Sequence, residues 1–214
     1  MLGRAKIAMI VAEIVGTAIL ATVVYTMIAR TSFPLFAALA AGGTLGLLSV
    51  TMGIGNEGVD LNPAVTLAMW TTKKSDTTKA VVKIAAQLLG GLGAWALLNY
   101  FLGHHLQSMA GKFEWKAFTA EAIGAGVFTF GVAAAALSGL VKEKAAVVAG
   151  VSLFLGIMVA SIGSNAVINP AVAIGIQSWN WAYATGPLVG GIVGVALYSL
   201  LFAPLSALTG KKSK

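Results

Sequence analysis

Long apolar stretches alternate with short polar segments along almost the whole chain. A helix needs about 20 apolar residues to cross the hydrocarbon core of a bilayer, and six stretches are long enough. They cover residues 7–29, 33–54, 80–103, 117–140, 145–163 and 182–205. The pattern therefore predicts an all-α membrane protein with six transmembrane helices, organised as a single domain over residues 1–214.

Two further apolar segments, residues 62–71 and 169–178, are too short to span a bilayer. Ten helical residues rise about 15 Å, which is half of a hydrocarbon core of about 30 Å. Each segment begins with the tripeptide Asn-Pro-Ala. We expect two re-entrant half-helices, one in each half of the chain.

The two halves of the chain repeat the same landmarks. The matched segments are AEIVG at 12–16 with AEAIG at 120–124, LNPAVT at 61–66 with INPAVA at 168–173, and Gly90-Gly91 with Gly190-Gly191. Glu13 precedes Asn62 by 49 positions, and Glu121 precedes Asn169 by 48. Because two independent landmarks keep almost the same offset, we infer an internal duplication.

The composition indicates a protein that lies in lipid. Hydrophobic residues make up 58% of the chain and charged residues only 10%, whereas soluble domains carry about 25% charged residues. The chain has no cysteine, which excludes disulfide frameworks, zinc ribbons and thiol chemistry. The net charge of +7 could indicate nucleic acid, but the basic residues lie at the ends of the apolar stretches, so we expect no nucleic-acid partner.

The distribution of Lys and Arg predicts the orientation in the membrane. With the N-terminus inside and six spans, only Arg30, Lys112 and Lys116 of the 14 Lys and Arg residues lie on the outer side, as the positive-inside rule requires. Both termini are then cytoplasmic, and the short loops and tails favour a prokaryotic plasma membrane. Three spans in each repeat, about 1–110 and 111–214, invert the second repeat, so the half-helices enter from opposite faces and meet near the midplane.

The two tripeptides suit helices that begin inside a membrane. They comprise Asn62, Pro63 and Ala64 in the first repeat and Asn169, Pro170 and Ala171 in the second. Lipid cannot satisfy the free N–H groups of a buried helix start, whereas Asn caps through its side-chain oxygen and Pro at the first position has no N–H. The amide NH₂ stays available as a donor, and both helix dipoles direct their positive ends at the meeting point. Such a site favours a neutral hydrogen-bond acceptor and disfavours cations and proton-relaying water chains.

With these features the chain resembles the aquaporins, the major intrinsic protein family, over essentially its whole length. The resemblance rests on the AExxG openings, the two Asn-Pro-Ala boxes, the six-plus-two count of helices and the duplication. It implies an hourglass pore in each subunit of a homotetramer in a lipid bilayer, and passive transport of water, sometimes with glycerol, urea, ammonia or peroxide. It also implies that Glu13 and Glu121 are buried carboxylates that accept hydrogen bonds from the loops holding the half-helices. We expect no cofactor.

The chain departs from the family pattern at the outer constriction. The family usually has Arg directly after the second Asn-Pro-Ala, where this chain has Val172, and an ungapped count places the other filter positions at Gly42, Ile157 and Ala166. The last two and Val172 are similar to the filter of some plant tonoplast aquaporins. The Asp that aquaglyceroporins usually carry after that Arg is Ala173 here. The resemblance thus implies a wide, apolar filter that admits small neutral solutes.

A second departure lies before the first half-helix, where Asp60 occupies the position of a His that is common in the family. With Glu57 nearby, Asp60 would place negative charge in the inner vestibule. Together with the missing Arg, this charge favours tolerance of cations. The alternative is an Asp60 that is solvated, or protonated and bonded to the loop backbone.

Two other functions stay open at this point. One is a channel that leaks cations or ammonium, because of Val172 and Asp60. The other is an intramembrane enzyme that uses Glu13 and Glu121, since charged residues inside spans are functional candidates. No partner nucleophile, metal-ligand cluster or phosphate loop appears in the sequence, so we expect neither an enzyme nor a metal site.

Overall fold

Helices form all the regular structure in the part of the chain that is described, residues 3–53 and 58–203 of a computed structural model. In chain order they are α1 (Arg4–Arg30), α2 (Pro34–Met52), α3 (Pro63–Thr71), α4 (Thr77–Leu102), α5 (Trp115–Leu137), α6 (Lys142–Ala160), α7 (Pro170–Gly175) and α8 (Trp181–Leu201). Within these ranges, six helices are long and apolar enough to cross a membrane, namely α1, α2, α4, α5, α6 and α8. The predicted all-α class and the six spans are confirmed.

The two short helices, α3 and α7, begin where the Asn-Pro-Ala tripeptides predict half-helices. Helix α3 has nine residues, whereas α7 has six and is shorter than the predicted segment 169–178. The reason is a left-handed turn at Gln177, with φ of 58°, after which the Ser178 N–H donates to the Ala173 carbonyl over 2.9 Å. This arrangement caps the free carbonyls of a helix end.

Helix α3 ends with the same kind of turn, about one helical turn further from its Asn-Pro-Ala start than in α7. Lys73 has a φ of 59°, and the Lys74 N–H donates to the Met69 carbonyl over 2.7 Å. The two half-helices therefore share their beginning and their C-terminal turn, and they differ in length by three residues. The duplication is kept in the local chemistry of both helix ends.

The repeats interlock through their half-helices. Helix α1 packs against α2 and α4, and α5 packs in the same way against α6 and α8. Each half-helix also contacts the last long helix of the other repeat, α3 against α8 and α7 against α4, while α2 packs on α6. The order of contacts is the one that an inverted repeat predicts.

Two matched glycines explain how closely each half-helix approaches its neighbour. A Cβ atom on Gly91 of α4 would collide with the carbonyl oxygen of Ala171 in α7. A Cβ on Gly191 of α8 would lie 2.9 Å from the carbonyl oxygen of Ala64 in α3. Two glycines that the sequence shows as matched landmarks of the repeats therefore allow the Asn-Pro-Ala boxes to pack closely against the opposite repeats.

We expect Gly91→Ala to destabilise the protein by about 1–3 kcal/mol, because the added methyl group overpacks against the Ala171 carbonyl. Gly93→Ala is the matched control, since Gly93 lies on the same helix and a Cβ there would meet nothing within 4 Å. Replacing a helical Gly by Ala without a clash is favourable by about 1 kcal/mol. Thermal unfolding of the purified variants in detergent measures the difference, and equal unfolding temperatures would contradict this packing.

Candidate functional site

The N-termini of both half-helices are capped by the asparagines of the tripeptides. The Asn62 Oδ1 atom accepts a hydrogen bond from the Ala64 N–H over 2.8 Å. Asn169 Oδ1 accepts from the N–H groups of Ala171 and Val172 over 3.0 and 3.2 Å. The prolines occupy the first helical position in each case. The capping geometry inferred from the sequence is present at both helix starts.

The side-chain amides also join the two loops reciprocally. Asn62 Nδ2 donates to the carbonyl of Ile168 over 2.9 Å, and Asn169 Nδ2 donates to the carbonyl of Leu61 over 2.8 Å. Leu61 and Ile168 have positive φ angles of 54° and 43°. Each asparagine thus contacts the residue that precedes the other asparagine, so both helix starts lie at one point.

This contact changes the expected role of the amide groups. An asparagine NH₂ has two hydrogens, and the sequence left both available to a passing molecule. The structure commits one hydrogen of each amide to the opposite loop, which leaves one N–H donor on Asn62 and one on Asn169. Each asparagine therefore offers one N–H donor, and its bond to the opposite loop fixes the direction of that donor.

The loop before α7 is held by the carboxylate of Glu121, a side chain with no solvent exposure. The carboxylate accepts hydrogen bonds from the N–H groups of Val167 and Ile168 over 3.0 and 2.5 Å. The Ser164 hydroxyl donates to it over 2.7 Å. Backbone donors of a short loop are otherwise unsatisfied in the protein interior, so this carboxylate fixes the path of the chain into α7.

Glu13 holds the loop before α3 in the matching way. Its carboxylate accepts from the N–H groups of Asp60 and Leu61, both over 2.8 Å, and the Gln87 side chain donates to it over 2.9 Å. Glu13 is also fully buried. Both acids are therefore engaged by the backbone of the loops, and this geometry gives no support to an enzyme that uses them on a substrate.

Asp60 is paired with a lysine that the sequence did not single out. Its Oδ2 atom lies 3.1 Å from Lys83 Nζ and accepts from the Thr66 hydroxyl over 2.8 Å. Lys83 Nζ also lies 3.3 Å from Glu13 Oε1 and donates to the Gly58 carbonyl over 2.7 Å. Asp60 is 6% exposed, so its side chain is not solvated as one reading of the sequence had it. Lys83 and the Thr66 hydroxyl contact it instead.

The positive-inside argument counted Lys83 only as one of the basic residues on the inner side. The structure shows that just 1% of its side chain is accessible. Its position just inside the apolar stretch 80–103 was the available signal, because a charged residue inside a span needs a partner. It also lies one helical turn before Gln87, on the same face of α4. Glu57, the other predicted vestibule acid, lies outside the described residues.

Two predicted filter residues, Ile157 and Ala166, line one chamber of about 220 Å³, on the side that the Lys and Arg distribution predicts to face outward. The remaining lining residues come from the ends of α1 and α6, the start of α2 and three loops: Val24, Ile28, Thr31, Ser32, Phe33, Pro34, Ala37, Met109, Ser161, Ser164 and Asn165. Val172 lies in the first turn of α7, where its N–H binds Asn169, and its side chain is buried. The structure thus brings Ile157 and Ala166 together and places Val172 directly after the second helix start.

Gly42 lies elsewhere than the ungapped count predicts. A Cβ on Gly42 would lie 2.5 Å from the Gly150 carbonyl oxygen and 3.1 Å from the Cβ of Phe154, both in α6. Gly42 therefore occupies the contact between α2 and α6, and α2 reaches the outer chamber through Pro34 and Ala37. The count fails because it measures distance along the chain, not the direction that each residue of a helix faces.

No group of three or more His, Asp or Glu side chains in residues 3–53 and 58–203 could hold a metal ion.

The comparisons with known proteins agree with this geometry. The family described as Major intrinsic protein matches residues 4–198. A protein named "Probable aquaporin TIP-type" from Medicago truncatula is 29% identical over 175 residues, covering 72% of this chain and 67% of that protein. Aquaporin TIP1-1 from Zea mays is 29% identical over 184 residues, covering 78% and 72%. The aquaglyceroporin structure from Plasmodium falciparum shares the fold with a TM-score of 0.62 at 20% identity, over 95% of this chain and 99% of that one.

The chain belongs to the major intrinsic protein family, since the match covers nearly all of it. It is an integral membrane protein and a passive channel for water and small solutes. It is a channel and not an enzyme, and the family assignment gives no support to the hypothesis of a catalytic Glu13 and Glu121.

We expect Asn169→Asp to lower stability by about 1–3 kcal/mol and to reduce water permeability. The aspartate keeps the cap on α7, but it loses the donor to the Leu61 carbonyl and places a negative charge at the meeting point of the helices. Stopped-flow light scattering on proteoliposomes and thermal unfolding in detergent measure the two effects.

Asn180→Asp is the matched control for this variant. Asn180 caps α8 through its oxygen, and its amide donates to the carbonyls of Gly111 and Lys112 at the exposed outer surface. The chemical change is therefore the same, away from the half-helices, and it should alter stability by less than about 0.5 kcal/mol. Equal losses of permeability in both variants would contradict a special role of Asn169.

Proposed function

We propose that the channel passes water together with small uncharged solutes such as glycerol, urea, ammonia and peroxide. The observation that carries the proposal is the reciprocal bonding of Asn62 and Asn169, which joins two buried helix starts at one point. The positive ends of both helix dipoles and the two remaining amide donors converge there. A molecule with oxygen or nitrogen lone pairs can accept from these donors in turn, whereas a cation is repelled.

Solute selection is proposed to occur on the outer side, at Ile157, Ala166 and Val172. None of these side chains has a hydrogen-bonding group. Such a constriction selects by size and gives no special advantage to water, so small neutral solutes pass with it. Gly42 is not included, because it packs against Gly150 in α6. The sequence similarity to relatives named as TIP-type aquaporins supports the same reading.

The assembly and orientation belong to the same proposal. We infer a homotetramer in a prokaryotic plasma membrane, with both termini in the cytoplasm. The concentration of Lys and Arg on one side supports the orientation, and the short loops support the source membrane. Large exposed apolar side chains such as Leu47 on α2 and Val147 on α6 provide surfaces that lipid or neighbouring subunits can cover.

Native mass spectrometry in detergent tests the tetramer, and a monomer under all mild conditions would contradict it.

We expect Val172→Arg to reduce urea and ammonia permeability by about tenfold or more relative to water. A long guanidinium group narrows the constriction and adds donors that favour water, whereas the parent side chain does neither. Solute-induced swelling of proteoliposomes, normalised to the amount of inserted protein, measures each permeability.

Val172→Thr is the isosteric control for the width of the constriction. It replaces a methyl group with a hydroxyl at nearly unchanged volume, so it adds a hydrogen-bonding group without narrowing the constriction. We therefore expect a much smaller fall in the ratio of urea to water permeability than in Val172→Arg. An equal loss of all permeabilities in Val172→Arg would overturn the proposed filter and point to a general blockage.

A further inference from the structure

A cluster of charged side chains lies at the loop before the first half-helix, α3, on the inner side of the proposed pore. We propose that Lys83 is a positioning residue whose charge allows Asp60 to stand beside the pore without making it conduct cations. Asp60 precedes Asn62 by two residues, and its ammonium partner lies on a transmembrane helix. The inference rests on the proposed function, because it assigns the loop before α3 to the inner half of the conducting path.

The contacts of Lys83 explain how it controls this loop. Its ammonium group lies 3.1 Å from Asp60 Oδ2 and 3.3 Å from Glu13 Oε1, and it donates to the Gly58 carbonyl over 2.7 Å. The lysine thus contacts both acids and the loop backbone at once. In a medium of low dielectric constant, the loss of one partner from such a group leaves an uncompensated buried charge.

A second set of contacts connects this cluster to the half-helix itself. The Thr66 hydroxyl, in the first turn of α3, donates to Asp60 Oδ2 over 2.8 Å. The Gln87 amide, one turn after Lys83 on α4, donates to both Thr66 and Glu13 over 2.9 Å. The Asp60–Lys83 ion pair is therefore linked through the Thr66 hydroxyl to the start of α3, where Asn62 lies on the proposed conducting path.

The second repeat shows that a half-helix can be held without this pair. Matching Gly90-Gly91 with Gly190-Gly191 places Tyr183 at the position of Lys83, and matching the two asparagines places Val167 at the position of Asp60. There, Glu121 accepts from the N–H groups of Val167 and Ile168 and from the Ser164 hydroxyl, and the Tyr183 hydroxyl accepts from the Asn165 N–H over 3.0 Å. The residue at the position of Lys83 thus also holds the loop in the second repeat, but without a charge. The aspartate and the lysine are thus present together in one repeat and absent together in the other.

This difference between the repeats distinguishes two roles that the charged pair of the first repeat could have, bracing of the loop and compensation of charge. If the loop only needed a brace, Glu13 with an uncharged partner would suffice, as Glu121 with Tyr183 does in the second repeat. The additional Asp60 brings a negative charge, and Lys83 brings the compensating positive charge. The pair also answers the sequence-based concern that Asp60 and the missing filter Arg together make the pore tolerate cations, since the acid is neutralised where it stands.

The test is a set of three variants, Lys83→Met, Asp60→Asn and the double variant, compared with the parent protein. Water permeability is measured by stopped-flow light scattering, and sodium and potassium currents are measured in planar bilayers. We expect Lys83→Met to raise cation current by about tenfold or more, because it leaves the Asp60 carboxylate without the ammonium group, whereas Glu13 stays bound by the loop N–H groups and Gln87. Asp60→Asn should stay non-conducting, and the double variant should return to the low cation current of the parent.

Lys142→Met is the control for loss of a positive charge at the inner surface. Lys142 begins α6 and is exposed, so its removal should leave both water permeability and cation current at the parent level. A rise in cation current as large as that of Lys83→Met would show that surface charge is responsible, and would overturn the proposal.

The double variant separates charge compensation from bracing. It has lost more contacts than Lys83→Met, so a purely bracing role of Lys83 predicts lower stability and a cation current at least as high. That result would overturn the inference. If Lys83→Met does not insert as folded protein, the proposal still requires the double variant to fold and to conduct water without cation current, and its failure to do so would also overturn it. A parent protein that passes no water would instead contradict the proposed function.

Discussion

The rest of the structure depends on one constraint: two helices begin inside the protein, at membrane depth, and their free N–H groups must find partners there. The two asparagines meet this need with their oxygens and then use one amide hydrogen each to bind the opposite loop. Because neither loop can shift without breaking the contact to the other, the two helix starts are fixed relative to each other. A channel that selects by the position of two donors requires such rigidity.

Other parts of the fold support this contact from outside. Glu13 and Glu121 bind the N–H groups of the loops, and Gly91 and Gly191 permit the half-helices to lie against the long helices of the opposite repeats. These supports come in matched pairs, as expected of a duplicated chain. The departures from symmetry are therefore informative. One is the shorter α7, and the other is the buried pair of Asp60 and Lys83 in the first repeat.

The distribution of charge and polarity divides the proposed path into three parts. On the proposed outer side, Ile157 and Ala166 line a chamber and Val172 is buried in the first turn of α7. We propose that size decides what enters there. At the helix starts, fixed donors and two positive dipole ends favour neutral acceptors over cations. On the inner side, Lys83 balances the acid beside α3. We therefore propose that exclusion of ions rests on the middle and inner parts of the path, and that the outer part sets the range of neutral solutes.

The sequence by itself determined the features that depend on neighbouring residues. Length and hydrophobicity predict the six spans, Asn-Pro chemistry predicts the beginnings of α3 and α7, and the repeated offsets predict the inverted duplication. Only the tertiary structure decided the pairing of Asp60 with Lys83, the reciprocal bonds of the two asparagines and the position of Gly42 against α6. These features join residues that are far apart in sequence, such as Asn62 and Ile168. Their geometry follows from how the helices pack, which local patterns of residues do not encode.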